Sequence, residues 1–327
     1  MYKSFISILF VIFFAFSGFT YAEETIHLSE TIGRLSIDAS ISETDLIELP
    51  DCYVTKKDMR AYQQDVPSMF PISTQYVCTN DEQGNFLYAD DLSNAVTCLI
   101  NIDISSQIPD LDYELAFMSR DDVEKYVIDF MDQHFGLSTS IYKTCALKRS
   151  TYESLYEDQR SILEQDLAAG GKQGATELIQ WDSDDVCYIV YMFENIGNIP
   201  FFARGETAVS NMEIMPYCVN RTGIMALVFE DGIRYLKIEN AWDVYSLTEA
   251  TAILPAEDAI SIYAQSVNDV ITLNDLLVTD IRLVYGVYNG YAHPFWSFEK
   301  VQNTDGIYYA CHDFVDACSG DFIGDGM

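Results

Sequence analysis

Residues 253–323 constrain the fold more than any other part of this 327-residue chain, because their pattern predicts one helix followed by several strands. Pro255 suits the first turn of a helix, where its missing N–H leaves no hydrogen bond unmade. Glu257 and Asp258 follow, and carboxylates are favoured near the positive end of the helix dipole. Apolar residues then recur on one helical face at Ala259, Ile262, Tyr263, Val267 and Val270.

The residues after this helix have the pattern of a strand meander. Residues 281–288 are rich in β-branched and aromatic side chains, which pack well on a sheet. Asn289-Gly290 and residues 303–306 are turn signals, and residues 307–310 begin a further strand. A helix followed by such a meander predicts a sheet with the helix packed across it.

The chain is predicted to reverse once more near its end. Residues 318–321 read as a tight turn, and Gly320 can adopt the positive φ that such a turn needs. Phe322–Ile323 should then pair back as a short edge strand. Asp316 is expected to cap the turn or face water. A cation held by Asp316 and Asp321 is the alternative, although the spacing matches no calcium loop.

The motifs of this stretch resemble a known type of extracellular module. Residues 255–259 read Pro-Ala-Glu-Asp-Ala, and residues 315–321 read Val-Asp-Ala-Cys-Ser-Gly-Asp. They resemble a PepSY-type module and the C-terminal part of YycH/YycI-type extracellular regulators of sensor kinases. With residues 293–298, the pattern is similar to a poorly characterised family of secreted clostridial lipoproteins. The resemblance implies a non-catalytic binding or regulatory module, but this chain lacks the anchoring cysteine of those lipoproteins.

Residues 1–22 are interpreted as an export signal. Lys3 supplies a positive start, and the apolar run at residues 5–16 is short for a membrane span. Cleavage after Ala22 would leave Glu23 as the mature N-terminus, with no cysteine nearby for lipid attachment. An uncleaved anchor is the alternative. We expect a secreted protein, exported in the Gram-positive manner, with no membrane helix after cleavage.

The charge balance limits the partners of the protein. The chain has 51 acidic and 18 basic residues, a net charge of −33. Such a surface repels nucleic acid and anionic lipid. No nucleic-acid partner is therefore expected, and the resemblance to PepSY-type modules implies an unknown protein or peptide as the partner.

The length predicts two domains, or one large one, and the 49% apolar content is enough for real hydrophobic cores. We expect an α+β protein built from two antiparallel-sheet-plus-helix units. The N-terminal α+β domain is placed at residues 23–172. The C-terminal α+β domain is placed at residues 173–327, with the PepSY-like unit at residues 253–323.

Other stretches carry local structure signals. Ser119 begins a capped helix that Gly136 ends. The apolar run at residues 186–193 is typical of a central strand covered on both faces. Residues 86–103 read as a hairpin, residues 113–117 as another strand, and residues 240–254 as a link into the C-terminal stretch.

No catalytic motif accompanies the ionisable residues. The sequence has no GxSxG, no HExxH and no glycine-rich phosphate loop. The neighbours His312 and Asp313 could support an unrecognised hydrolase, or could be an ordinary pair on a strand. No cofactor and no metal site is predicted.

Eight cysteines are scattered along the chain without a CxxC pair, at Cys52, Cys78, Cys98, Cys145, Cys187, Cys218, Cys311 and Cys318. The missing CxxC argues against a zinc cluster or a thioredoxin-like site. Buried thiols with one or two disulfide bridges are the expected arrangement.

Aromatic residues near residue 290 are the most suggestive feature for binding, namely Tyr285, Tyr288, Tyr291, Phe295, Trp296 and Phe298. Such side chains can form a groove for peptide or carbohydrate. Tyr288, Tyr291, His293 and Trp296 are the predicted binding residues, although Trp296 and Phe298 also suit a core. We expect a non-enzymatic binding or regulatory protein that engages a peptide, a peptidase or the outer part of a membrane sensor. The alternatives are a hydrolase and a structural surface protein.

Overall fold

The computed structural model describes residues 25–32, 35–42, 48–70, 76–80, 85–100, 113–168, 179–202, 223–239, 241–269, 276–288, 291–304 and 307–323. Its helices are a 3₁₀ helix (Met59–Asp65), α1 (Val66–Met69), α2 (Asp91–Ile100), α3 (Arg120–Phe135), α4 (Arg149–Ala168) and α5 (Ala256–Asp269). The predicted signal segment and its cleavage site lie outside these residues. No helix in the described ranges is long and apolar enough to cross a membrane.

The strands account for most of the ordered structure. They are β1 (Thr25–Ile32), β2 (Leu35–Ser42), β3 (Glu48–Lys56), β4 (Tyr76–Asn80), β5 (Phe86–Asp90), β6 (Thr139–Lys148), β7 (Asp185–Ile196), β8 (Ile199–Phe202), β9 (Ile224–Phe229), β10 (Gly232–Ile238), β11 (Trp242–Ala252), β12 (Leu276–Tyr288), β13 (Tyr291–Thr304), β14 (Ile307–Asp316) and β15 (Phe322–Ile323). The fold is therefore α+β with sheet dominant, which confirms the predicted class.

The described strands belong to one branched sheet. Its main path runs β11-β3-β13-β12-β8-β7-β9-β10-β5-β4. β2 pairs in parallel with β12, and β1 pairs with β2. β6 pairs with β7, β14 pairs with β13, and β15 pairs with β14, all antiparallel. β2 and β3 thus pair with strands from the C-terminal third of the chain.

The predicted division at residue 172 falls within residues 169–178, which lie outside the described ranges. Hydrogen-bonded pairing crosses this division, because β6 lies before it and β7 after it. The two-unit arrangement and its boundary remain predictions.

Helix α5 packs across the sheet as the sequence pattern indicates. Ala259, Tyr263 and Val267 are buried against a core formed with β2, β3 and β12–β14. Ile262 is only half-buried at the margin of this core. The Tyr263 ring stacks on Phe298, with centroids 4.2 Å apart and planes 5° apart. This stacking holds the helix to the middle of β13.

Several local predictions are confirmed. Helix α3 starts at the Ser119 cap and ends at Gly136, whose φ of 60° is left-handed. β7 is buried along nine consecutive residues, as a strand covered on both faces requires. Gly320 has φ of 79°, and Phe322 pairs back with Val315.

Three predicted elements differ from the structure. The second arm of the predicted hairpin at residues 86–103 is helix α2 instead. Asp90 and Ser93 exchange backbone-to-side-chain hydrogen bonds at 3.0 and 2.8 Å and so cap its start. Residues 113–117, expected to be a strand, form a turn closed by a bridge between Leu115 and Met118. The expected link at residues 240–254 is the long strand β11, because pairing with β3 orders it.

Candidate functional site

Strand alternation brings a polar and aromatic surface together on the side of the sheet opposite α5. In β3, Cys52 is buried in the core, so Asp51 and Tyr53 face the other way. In β13, Ala292 is buried, so Tyr291 and His293 also face away from the core. Tyr291 pairs directly with Tyr53 across the two strands.

Three tyrosines form one part of this surface, the tyrosine cluster of Tyr53, Tyr245 and Tyr291. The ring centroids of Tyr53 and Tyr291 are 4.4 Å apart, and their hydroxyl oxygens are 3.3 Å apart. This hydrogen bond raises the pKa of the Tyr291 hydroxyl. Tyr245 lies 5.8 Å from Tyr53 and is 64% exposed.

Strand β11 carries the exposed side of the cluster. Tyr245 lies at a register shift between Val244 and Ser246, an irregularity that re-aims a side chain. Val244 and Leu247 are exposed as well, at 41% and 60%, but on the α5 side of the strand, since they pair with Val54 and Cys52. β11 is at the end of the strand order, and β3 is its only partner among the described strands. Its outer backbone edge is therefore not paired with any strand in the described ranges, and such an edge can add another extended chain.

A second group, the histidine cluster of Asp51, His293, Asp316 and Cys318, adjoins the tyrosines. His293 lies between two carboxylates: its Nδ1 is 2.6 Å from Asp51 Oδ1, and its Nε2 is 3.0 Å from Asp316 Oδ2. One ligand atom from each of His293, Asp316 and Cys318 lies within 4.8 Å of the others. The three residues are half-buried, so the cluster is partly shielded from water.

Asp316 also caps the final turn, as the sequence indicated. Its Oδ1 accepts the backbone N–H groups of Cys318 and Ser319, both at 2.8 Å. Burial acts to raise the pKa of Asp316, but these N–H groups and His293 outweigh it, so the pKa is lowered. Burial, followed by the carboxylates of Asp316 and Asp51, raises the pKa of the Cys318 thiol to about 11.

The four predicted binding residues are not all at this surface. Tyr291 and His293 are part of it. Trp296 is only 1% exposed, and its Nε1 donates to the Leu254 carbonyl at 2.9 Å. Strand alternation places Trp296 on the α5 side, so it lies in the core, the alternative given for it, and not on this surface. Tyr288 pairs through its backbone with Tyr291, and its side chain lies outside the described part.

His312 and Asp313 do not act as a pair, because neighbours in a strand point to opposite faces. Asp313 lies on the α5 side, where Tyr263 Oη donates to it at 3.1 Å and Lys300 Nζ at 2.7 Å. His312 lies on the other side, with its Nδ1 3.0 Å from Ser297 Oγ. The sequence-based hydrolase site at these two residues is not formed.

Among the described side chains, five cysteines are free thiols: Cys52, Cys78, Cys145, Cys187 and Cys318. Three of them are buried, in agreement with the expected buried thiols. Cys98, Cys218 and Cys311 lie outside the described side chains.

The sequence analysis missed Asp51, Tyr53 and Tyr245 as members of the surface. Tyr53 and Tyr291 are 238 positions apart along the chain, so no local pattern joins them. The alternating triplets at residues 51–53 and 291–293 were the available signal, since each places two polar or aromatic side chains on one strand face.

No family model matches this chain, and no curated protein does. Its fold is similar to the crystal structure of an uncharacterised protein from Eubacterium rectale ATCC 33656, with a TM-score of 0.61 and 17% sequence identity. The match covers 91% of this chain and 92% of that chain. At this identity the likeness concerns the fold alone.

Proposed function

We propose that this protein is an exported, non-enzymatic binding protein that captures an extended, positively charged polypeptide on the tyrosine cluster and along β11. The observation that carries the proposal is the tyrosine cluster, with Tyr245 exposed, beside the edge of β11 that no other described strand shares. The polypeptide would belong to a regulatory partner, a peptidase or the extracellular part of a membrane sensor.

The tyrosine cluster supports binding because its rings are held in place before a ligand arrives. Tyr53 is flanked on both sides by Tyr245 and Tyr291 at centroid distances of 5.8 and 4.4 Å. Tyrosine supplies a large apolar contact area and a hydroxyl at little cost in conformational entropy. Exposed Val244 and Leu247 pair with Val54 and Cys52, so they lie on the α5 side of β11 and give the same edge an apolar second face.

The strand edge supports an extended ligand. Main-chain groups on an unshared edge can pair with a peptide strand, while nearby side chains give specificity. Register shifts near Tyr245 and after Leu247 interrupt β11. The added strand is therefore expected to pair over a short segment only, and the tyrosines are expected to supply much of the affinity.

The negative charge of the protein favours a basic ligand. The whole chain has a net charge of −33, and the acidic residues Glu48, Asp51, Asp243 and Glu249 lie on the two outermost strands. A cationic peptide is attracted to such a surface, and the attraction weakens as salt rises. The resemblance of the C-terminal motifs to PepSY-type and YycH/YycI-type modules supports a regulatory role outside the cell.

A peptide library in which extended sequences carry lysine, glutamate or neither tests this proposal. The mature protein should select lysine-containing peptides that also carry apolar residues. Tyr245→Ala and Leu247→Ser should each weaken the selected peptide at least about tenfold, because exposed aromatic and apolar contacts are lost. Tyr126→Ala is the matched control, since Tyr126 is a 37% exposed tyrosine on α3. Selection of acidic peptides, or equal binding by Tyr245→Ala, would contradict the proposal.

A hydrolase is the second candidate function. Its site would consist of Ser297, His312 and Glu299 and not of His312 and Asp313. Ser297 Oγ is 3.0 Å from His312 Nδ1, and His312 Nε2 is 3.8 Å from Glu299 Oε2. This order resembles a nucleophile, a base and an orienting carboxylate. The three residues are 2%, 3% and 7% exposed, so a substrate would need an opening in the sheet. Labelling of Ser297 by a fluorophosphonate would support this candidate over the binding protein.

A further inference from the structure

We propose that His293, Asp316 and Cys318 form a binding site for a divalent transition metal of the zinc type, with Asp51 as the outer partner of the histidine. His293 comes from β13, Asp316 ends β14, and Cys318 lies in the turn that follows. Two neighbouring strands and one turn therefore supply the three ligands. The site is distinct from the tyrosine cluster and does not depend on peptide binding.

The set of donor atoms selects the class of metal. An imidazole nitrogen, a carboxylate oxygen and a thiolate sulfur together suit zinc and related ions. Calcium and magnesium prefer all-oxygen coordination with six or more ligands, which this cluster does not offer. Three protein ligands leave the fourth tetrahedral position for water or for a group from a partner.

The distances are close to those that zinc requires. Tetrahedral coordination at ordinary zinc bond lengths separates a nitrogen ligand from an oxygen ligand by about 3.3 Å, and from a sulfur ligand by about 3.6 Å. His293 Nε2 and Asp316 Oδ2 are 3.0 Å apart. The Cys318 sulfur lies within 4.8 Å of one ring nitrogen of His293 and one carboxylate oxygen of Asp316. A small outward shift of the two strand residues and an inward shift of Cys318 would complete the geometry.

The neighbours of the ligands already orient them. Asp51 Oδ1 lies 2.6 Å from His293 Nδ1, and a proton on Nδ1 would leave Nε2, 3.0 Å from Asp316 Oδ2, free to bind the metal. A carboxylate on the far nitrogen of a metal-binding histidine is a common way to fix its tautomer. Asp316 Oδ1 is held by the backbone N–H groups of Cys318 and Ser319, so its Oδ2 is left to face the histidine.

The competing arrangement has no metal. Both nitrogens of His293 would then donate protons, Nδ1 to Asp51 and Nε2 to Asp316. This arrangement would use the carboxylates and the imidazole but would give no role to the Cys318 thiol. Spectroscopy of a metal–sulfur bond therefore separates the two arrangements.

The test uses the mature full-length protein, freed of metal and kept reduced with a phosphine. Zn²⁺ titrated against a chromophoric chelator should bind with one equivalent. Co²⁺ in place of Zn²⁺ should give the charge-transfer absorption of a cobalt–thiolate bond. His293→Gln, Asp316→Asn and Cys318→Ser should each weaken Zn²⁺ binding at least about tenfold. Asp51→Asn should weaken Zn²⁺ binding by about 10–100-fold, as is typical when a residue that hydrogen-bonds a metal ligand is replaced.

Matched controls separate the site from the acidic surface. His27→Gln, Cys78→Ser and Asp321→Asn replace the same residue types outside the cluster, and should bind Zn²⁺ as the parent does. Absence of saturable Zn²⁺ binding, or Co²⁺ binding without a thiolate band, would overturn the proposal. The Co²⁺ spectrum is measured on the unsubstituted protein, so this outcome does not depend on how well the variants fold.

Discussion

Glu194 in β7 accepts the backbone N–H of Trp242 at the start of β11, with the nitrogen 3.1 Å from Oε2. The contact ties a central strand of the sheet to the edge strand that bears the tyrosine cluster. Glu194 is buried at 8% exposure. Burial raises its pKa from an ordinary 4.5 to about 8, although the Trp242 N–H and Lys57 act to lower it.

This raised pKa predicts a pH-dependent stability. Between pH 4.5 and about 8 the folded protein keeps the Glu194 proton while the unfolded chain has lost it. The folded state then binds more protons, so the free energy of unfolding falls as pH rises through this window. Glu194 should contribute a loss of up to about 1.4 kcal/mol per pH unit. Urea unfolding of Glu194→Gln at several pH values should show a flatter profile than the parent. Parallel profiles would contradict the prediction.

Gly320 should resist substitution more than another left-handed glycine. Its φ is 79°, and an added Cβ would lie 3.1 Å from Ile262 Cδ1 and 3.3 Å from Leu254 Cδ1. Gly197 has φ of 63° with nothing within 4 Å of an added Cβ, so it is the matched control. Gly197→Ala should cost about 1 kcal/mol from backbone strain alone. Gly320→Ala should cost about 2 kcal/mol or more, because overpacking adds to the strain. If Gly320→Ala and Gly197→Ala shift the denaturation midpoint equally, the contact of residue 320 with Ile262 in α5 is not tight.

The Asp313–Lys300 pair should be worth far more than an exposed pair. Lys300 Nζ is 2.7 Å from Asp313 Oδ1, and Asp313 is 2% exposed. Asp313→Ala removes the carboxylate beside a largely buried ammonium group, which should cost about 3 kcal/mol. Asp129→Ala breaks the exposed Lys125–Asp129 pair on α3 and should cost no more than about 0.5 kcal/mol. Calorimetric unfolding of both variants measures the difference, and a similar loss in each would refute it.

Export should remove the first 22 residues. Cleavage after Ala22 is expected because a short apolar run and a small residue precede it. Mass spectrometry of culture medium should find a chain that starts at Glu23. Recovery of the protein only from membranes, with residues 1–22 retained, would favour the uncleaved anchor.

Some elements could be predicted because their signals are local. Ser119 and Gly136 bound α3, since a cap and a left-handed glycine act within one helical turn. Pro255 and the apolar spacing after it predicted α5, and Gly320 predicted the last reversal. Each of these residues fixes the backbone next to it, whatever the rest of the chain does.

Features that depend on pairing between distant strands were decided only by the tertiary structure. β11 is ordered by β3, which precedes it by nearly 200 residues (Asp51 N–H donates to Thr248 at a separation of 197). The same pairing brings Tyr245 beside Tyr53, and β13 then adds Tyr291 and His293. Residue order alone determined on which strand face Tyr53, Tyr291 and His293 lie, whereas the direction of Tyr245 depends on the register shift against β3. Only the strand order determined which faces met, because hydrogen bonds between strands carry no sequence signal that a single chain reveals.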